Sequence, residues 1–578
     1  MLLRFSALAL LLAAGCVAAP VAGAPSSPAA PSPFPTKARL EEVKATPLPP
    51  EALELPGVMV DQWKMEGPLP ERFGAEPYSD ASPFTGALNT FATQSGGRVQ
   101  VTGDMHCAAR ELGRFVLAKD AVPSDELRDF ITGRCGVVGA EVRMQWSAGE
   151  MPRLDEGKVF EQWSKQFGGT LEKMVGPGPR AAGIWFGRDG KRIIILVASS
   201  VPRVRLEPGP RVPDAQQHIT LRGELLVPGD RLQALVNQGP YGYGTCLADA
   251  SVALPHFALT CSVLPSDSEA RVELAAFPPG RIFGPIVLDL VGWPGGKASL
   301  AFSREQLAAP SAPASTEQAM LQQLLVQVNT VRAHAQLRPM VLADKESAVS
   351  NQIAPYYFAA MAGKAEAALA DEVALGLRAG WDVDGQIRDA EFASAALGQT
   401  RDPARLVQVT LERPSGRAVL LDRDAAQLAV GQVTLGKNGL GAVLTSYTLF
   451  DERDVDDGAA TLAQRLTAQR AARGLPAPHF IQGLEAAQAQ ARTAVRVGAA
   501  APDAALQYVL QAAVQQGRAF SGLWMTTSTL DFELPKQLLQ PGPLDVCITV
   551  SHRRAEGQAW GQYVVLFAFP RPQEVAWR

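Results

Sequence analysis

Histidine is scarce in this chain. Six imidazoles are spread over 578 residues, and no two stand at metal-ligand spacing. The His-Glu-x-x-His helix of zinc proteases is therefore absent. No Walker A loop and no Gly-x-Gly-x-x-Gly turn occurs, so nothing local marks a phosphate cradle or a dinucleotide cofactor. There is no Gly-x-Ser-x-Gly elbow for a nucleophilic serine. Ser415, in Pro414-Ser415-Gly416, reads as turn chemistry. Basic blocks are missing too: the formal net charge is −4, and no basic stripe interleaved with aromatics occurs, which argues against nucleic acid as a partner.

Long apolar runs are also lacking, and no segment after the first few residues could cross a bilayer as a helix. The one early run, Leu8–Ala14, follows Arg4 and ends in Leu12-Ala13-Ala14-Gly15-Cys16, so residues 1–15 read as a secretory signal. Small residues before a cysteine resemble a bacterial lipobox and predict lipid attachment at Cys16. The competing reading is ordinary cleavage at Val17-Ala18-Ala19 or Ala22-Gly23-Ala24, each followed by a proline that suits a scissile bond poorly. Multiple acyl chains would hold the protein firmly, because each buried methylene adds about 0.8 kcal/mol. The expected address is the cell envelope, lipid-anchored, in the outer membrane of a Gram-negative bacterium. Residues 16–81 open on a Pro/Ala/Ser-rich stretch, Pro20–Pro50, and read as a disordered tether.

The rest of the composition is globular, with 47% hydrophobic and 19% charged residues, and the chain is long enough for several cores. Cysteine usage fits export. Cys107 and Cys135 lie close together, as do Cys246 and Cys261, which predicts two disulfides; Cys547 alternates within an apolar strand and reads as a buried thiol. Residues 82–200 contain helical patterns around Cys107–Leu117 and Ser124–Thr132 and end in a hairpin at Asp189-Gly190. His106 reads as a capping or packed imidazole. Residues 201–306 break into short β-runs separated by turn residues, which predicts an all-β immunoglobulin-like sandwich. Its loop Gln238–Gly244 carries Tyr241 and Tyr243, two rings that could anchor a partner or pack into a turn.

Residues 307–451 begin with a capping-box signal at Ser315 and Gln318 and a helical Leu/Val stripe, and close with a hairpin across Asn438-Gly439. Asp451–Gly458 reads as a solvated linker. Residues 452–578 repeat the order of helices first and hairpin last, and Arg470, Leu475 and Pro476 echo Arg332, Leu337 and Pro339. His552, beside Arg553 and Arg554, reads as part of a solvated basic cluster.

The line Asn329, Arg332, Leu337, Pro339, Leu342, followed later by Arg413-Pro414-Ser415-Gly416-Arg417-Ala418-Val419-Leu420-Leu421, resembles the CAP superfamily (cysteine-rich secretory protein, antigen 5, pathogenesis-related 1). The resemblance implies an α/β fold of repeated α-β-α sandwich modules. Residues 82–200 and 452–578 are expected to be degenerate copies of the one at 307–451. The family groove holds two histidines and two acids. Here the first histidine position falls near Ile353 and the second at Gly416, while Glu391 stands near one family acid. The resemblance thus implies a groove without its imidazoles. The expectation is a non-catalytic envelope protein, without metal or other cofactor, whose modules bind or scaffold protein, cell-wall or apolar ligands. Glu391, Tyr241 and Tyr243 are its candidate contacts. The alternative is a secreted, peptidase-like hydrolase with a rearranged groove.

Overall fold

The computed structural model describes residues 2–5, 37–54, 57–74, 76–139, 142–151, 155–265, 269–278, 285–303, 314, 316–366, 369–370, 383–527, 529–554 and 560–570. Cys16 and most of the signal segment lie outside the described residues, as do Ser315 and the Glu556-Gly557 turn.

The first module runs α1 (Pro83–Gln94), β1 (Val99–Val101), α2 (Gly103–Lys119), α3 (Asp125–Cys135), β2 (Val142–Glu150), α4 (Glu156–Val175), β3 (Arg180–Asp189) and β4 (Arg192–Ser200). Its sheet has the order β1-β3-β4-β2, with β1 and β3 parallel and the other pairs antiparallel. The β4 run Ile193–Ala198 is apolar on both sides because both sheet faces are covered. Ile193, Ile195 and Val197 pack with α1 and α4, while Ile194, Leu196 and Ala198 pack with α2 and α3. Burying each isoleucine contributes about 1.5–3 kcal/mol. The Cys107–Cys135 disulfide closes 28 residues and ties α2 to α3.

A sandwich follows: β5 (Val204–Leu206), β6 (His218–Leu225), β7 (Arg231–Gln238), β8 (Gly242–Thr245), β9 (Leu247–Ala248), β10 (His256–Ser262), β11 (Ala270–Phe277) and β12 (Ile286–Gly292). Two four-stranded sheets, β9-β10-β6-β5 and β8-β7-β11-β12, share one apolar core. Cys246, between β8 and β9, is bonded to Cys261 of β10.

The second module is α5 (Glu317–His334), β13 (Val341–Leu342), α6 (Asp344–Met361), β14 (Ile387–Leu397), α7 (Pro403–Leu411), α8 (Pro414–Leu420), β15 (Gln427–Leu435) and β16 (Gly439–Leu449). The third is α9 (Glu452–Ala472), β17 (His479–Phe480), α10 (Glu485–Arg496), α11 (Pro502–Gln515), β18 (Phe520–Thr527), a short 3-10 turn at Lys536–Leu539, β19 (Asp545–Arg554) and β20 (Gly561–Pro570). Both repeat the first module's wiring: β13-β15-β16-β14 and β17-β19-β20-β18, each with its short first strand parallel to its neighbour. The second sheet carries one addition, because Leu2–Phe5 pairs antiparallel with the outer edge of β14. The fold is therefore α/β: three α-β-α sandwich modules and one all-β sandwich.

Each later module is pinned by a buried arginine near the end of its first helix. Arg332 is fully buried; its Nε donates to the Arg338 carbonyl at 2.7 Å, and Nη1 donates to Leu420 and Asp422 at 2.9 Å each. Nη2 reaches Ala425 at 3.3 Å. Arg470 repeats the pattern, donating to Pro476 at 2.8 Å and to Leu538, Gln540 and Gly542 at 2.7, 3.2 and 2.5 Å. In the first module the corner after α1 is held by Ser95, whose hydroxyl donates to Ala92 and accepts from Val99 N–H.

Four sequence expectations need correcting. The α5 cap is Thr316, which accepts from Ala319 N–H, so the signal sits one residue later than expected. The tether does not span residues 16–81: from Lys37 the chain folds back on the modules. Val43, Met65 and Phe73 are buried, Tyr356 donates to the Lys44 carbonyl, and Gln62–Lys64 pairs with Ala301–Ser303. These scattered apolar anchors are what a proline-rich reading of the segment overlooks. Asp451–Gly458 is not a linker but the start of α9, because Asp451 and Asp454 cap it reciprocally. His552 is buried, in a joint described below.

Replacing Arg470 with methionine should destabilise the folded chain by about 3–5 kcal/mol, because several carbonyls lose their buried donor. The exposed Arg473→Met variant should stay within about 0.5 kcal/mol of the parent. Urea unfolding of the two variants checks the pair.

Candidate functional site

The position that the resemblance gives to a groove acid falls on β14. Glu391 stands opposite Ser446 of β16, and Ser446 stands opposite Leu428 of β15. By strand alternation all three project to the face shared with Ala393 and Leu444, where α5, α7 and α8 pack. Glu391 is 1% exposed and Ser446 0%.

Every residue of α8 is buried. Gly416 sits there with no room for a side chain, since a Cβ would fall 1.8 Å from the Thr410 carbonyl oxygen. Ser415 donates through both its N–H and its hydroxyl to Glu273 of β11, so a carboxylate of the sandwich holds the first turn of α8. Ile353 lies on the opposite side of the sheet, 1% exposed in the core with Tyr357 and Phe392. The two positions that the resemblance gives to imidazoles are thus separated by the sheet, and only Gly416 shares a face with Glu391. Among the described residues, no group of three or more His, Cys, Asp or Glu could hold a metal ion.

A polar junction lies next to this groove, where the first module, the sandwich and the second module meet. Arg413 pairs with Asp129 of α3 and reaches Glu273 at 3.7 Å and Asp289 at 4.0 Å. Arg271 grips Asp289 with two donors, the Nε contact being 2.7 Å. Arg405 pairs with Glu126 at 2.9 Å. Burial opposes the charge on Asp289, and the guanidiniums of Arg271 and Arg413 outweigh it, holding its carboxyl below the usual range. Burial pushes in the same unfavourable direction at Arg413, where Asp129 leads the groups that restore the charge. These pairs bind the three units together.

The tyrosine loop belongs to the same interface. Arg417 donates to the carbonyls of Gly239 and Gly242 at 2.6 and 2.7 Å, and Tyr241 stacks on His334 of α5 with ring centroids 5.9 Å apart. Tyr241 and Tyr243 are half-buried against the second module, so their contacts are intramolecular. His106 packs on Tyr78 with centroids 4.0 Å apart, and its Nε2 lies 4.0 Å from Asp80. Burial holds His106 below its ordinary pKa and, with the Asp80 hydrogen bond, pushes Tyr78 up to about 12. Cys547 is buried, and burial raises its thiol to about 11.

Reasoning from sequence missed the joint between the second and third modules. His552 stacks on Phe450 at 4.7 Å and its Nδ1 is 2.9 Å from Gln386 Oε1. Arg388 pairs with Asp454, and Arg554 donates to the carbonyls of Val383 and Gly385. A surface hollow of about 380 Å³ lies along α9, lined by Ala463, Gln464, Thr467, Ala468, Ala471 and Phe480. Three residues before the buried arginine, Thr467 stands where the second module has Asn329, which binds the Met340 backbone in both directions.

The architecture defines a three-module α-β-α protein with an inserted sandwich. No family model matches the chain, and no curated protein matches it. Among solved structures, it is similar to a cysteine-rich secretory protein from Staphylococcus aureus subsp. aureus Mu50, with 11% identity, a TM-score of 0.17 and coverage of 51% of this chain and 97% of that one. It is also similar to a β-1,2-glucanase from Parabacteroides distasonis, with 12% identity, a TM-score of 0.11 and coverage of 33% of this chain and 26% of that one. Both are weak likenesses, and no activity passes from either protein to this chain.

Placing an imidazole at position 416 should fail. Gly416→His is expected to destabilise the fold by several kcal/mol through overpacking and to give no added zinc uptake by calorimetry. A second expectation concerns pH. Burial and then Arg496 hold His552 below its ordinary value, so it is neutral when folded. The unfolded chain takes up that proton near pH 6.5, and the folded chain only at lower pH. Stability should be full above about pH 6.5 and fall as the pH drops through it toward the lower folded value. Thermal unfolding of the parent and of His552→Gln between pH 7 and 5 reads this as a shallower dependence in the variant.

Proposed function

We propose that this chain is a non-catalytic, lipid-anchored protein of the bacterial cell envelope. Its three modules are degenerate relatives of the CAP superfamily and act with the sandwich as one scaffold that binds protein or cell-wall material. The observation that carries the reading is Gly416. Where the resemblance requires an imidazole, the backbone leaves no space for any side chain, and Glu391, on the strand that α8 packs against, is buried. The ion pairs that join the first module, the sandwich and the second module support a scaffold rather than a hinged enzyme, because they fix the units through many partners.

The anchor reading rests on Leu12-Ala13-Ala14-Gly15-Cys16 and on the pairing of cysteines into disulfides, which suits an oxidising compartment. The purified mature protein should carry acyl chains on Cys16 by intact mass spectrometry, co-sediment with cell-wall sacculi, and turn over none of a panel of peptide, ester and glycan substrates. A free amino terminus downstream of Cys16 would remove the anchor. Turnover abolished by Glu391→Gln or Ser446→Ala would replace the scaffold with the hydrolase.

A further inference from the structure

The three modules offer a comparison within one chain. The outer strands β2, β14 and β18 hold the same place in their sheets. Among the described residues, β2 and β18 each pair on one side only, with β4 and β20. β14 pairs on both: with β16 inside, and outside with Leu2–Phe5 in the register Leu2↔Ala393, Leu3↔Phe392, Arg4↔Glu391 and Phe5↔Ala390. That added strand also lies beside α8. Its residues belong to the segment that the sequence marks for removal on export.

We propose that the outer edge of β14 is an acceptor for an extended peptide, added antiparallel by main-chain pairing, and that residues 2–5 occupy it only before processing. The inference rests on the signal-peptide part of the reading above. An unpaired strand edge presents a row of N–H and C=O groups that an incoming strand satisfies, which is how β-augmentation gives affinity. Selectivity would come from position. Residues directly opposite across an antiparallel pair share a face, and the position opposite Glu391 is held by Arg4, so a basic residue is favoured there.

The test uses the processed chain from Cys16 onward, with Cys16→Ser to keep it free of lipid. A labelled peptide of residues 1–6 (Met1–Ser6) is titrated by fluorescence anisotropy, and amide exchange is followed over residues 390–393. Saturable binding is expected, with exchange in that segment slowing by about tenfold or more. A peptide with Arg4→Glu should bind several-fold more weakly, and one with Leu3→Pro should not bind. Absence of saturable binding, or unchanged exchange at 390–393, overturns the proposal. So does mature protein from cells that keeps residues 2–5, where the strand would be a permanent part of the fold. Acylated Cys16 without peptide binding removes this inference alone and leaves the scaffold standing.

Discussion

A guanidinium buried among backbone carbonyls is the interaction on which this architecture turns. Arg211, Arg332 and Arg470 are the largest fully buried side chains, and each spends its donors on main-chain oxygens. Arg211 binds Gly133 and Arg134 of the first module and Val291 of the sandwich, with its plane over Trp293 at 3.9 Å. Taking such a charge out of water is expensive, and only a fork of donors meeting fixed acceptors offsets the loss. The arrangement therefore specifies loops that have no regular structure of their own. In the second and third modules it draws the turn after the first helix and the turn before the central strand to one point.

Around that constraint the three modules vary where variation is tolerated. The connection between the outer and central strands is the long helix α4 in the first, the pair α7 and α8 in the second, and irregular chain with one 3-10 turn in the third. The sheets and the helices on their faces keep the same order throughout. Core alternation and the parallel first pairing leave little freedom, whereas a crossover needs only to return the chain to the right place.

The fold was largely legible because alternation and turn residues are local signals. The Asn438-Gly439 and Asp189-Gly190 turns fall where hairpins form, and the echo of Arg332 in Arg470 marks a real repeat. The candidate site was much less legible. Gly416 reads as an ordinary turn residue, and its steric blockade comes from Thr410, six residues away along a chain bent between α7 and α8. Tyr241 on a glycine-rich loop reads either as a partner anchor or as a ring packed into a turn, and the sequence cannot name its cover because His334 is distant along the chain. His552 misleads for the same reason: the two arginines that follow it suggest solvent, while Phe450 and Gln386 from the neighbouring module enclose it.

The cysteine pairing has a bearing on biogenesis. Cys107 joins Cys135 and Cys246 joins Cys261, so each bonded cysteine of the described fold is matched with the next one along the chain. On the export route proposed above, a polypeptide threaded through a translocon amino end first would deliver each partner directly after its mate, and an oxidase acting in order of arrival would form the native bonds without an isomerase. Cys547 would emerge last, with no unbonded thiol of this set left to capture it, and is then sealed between the layers of the final module.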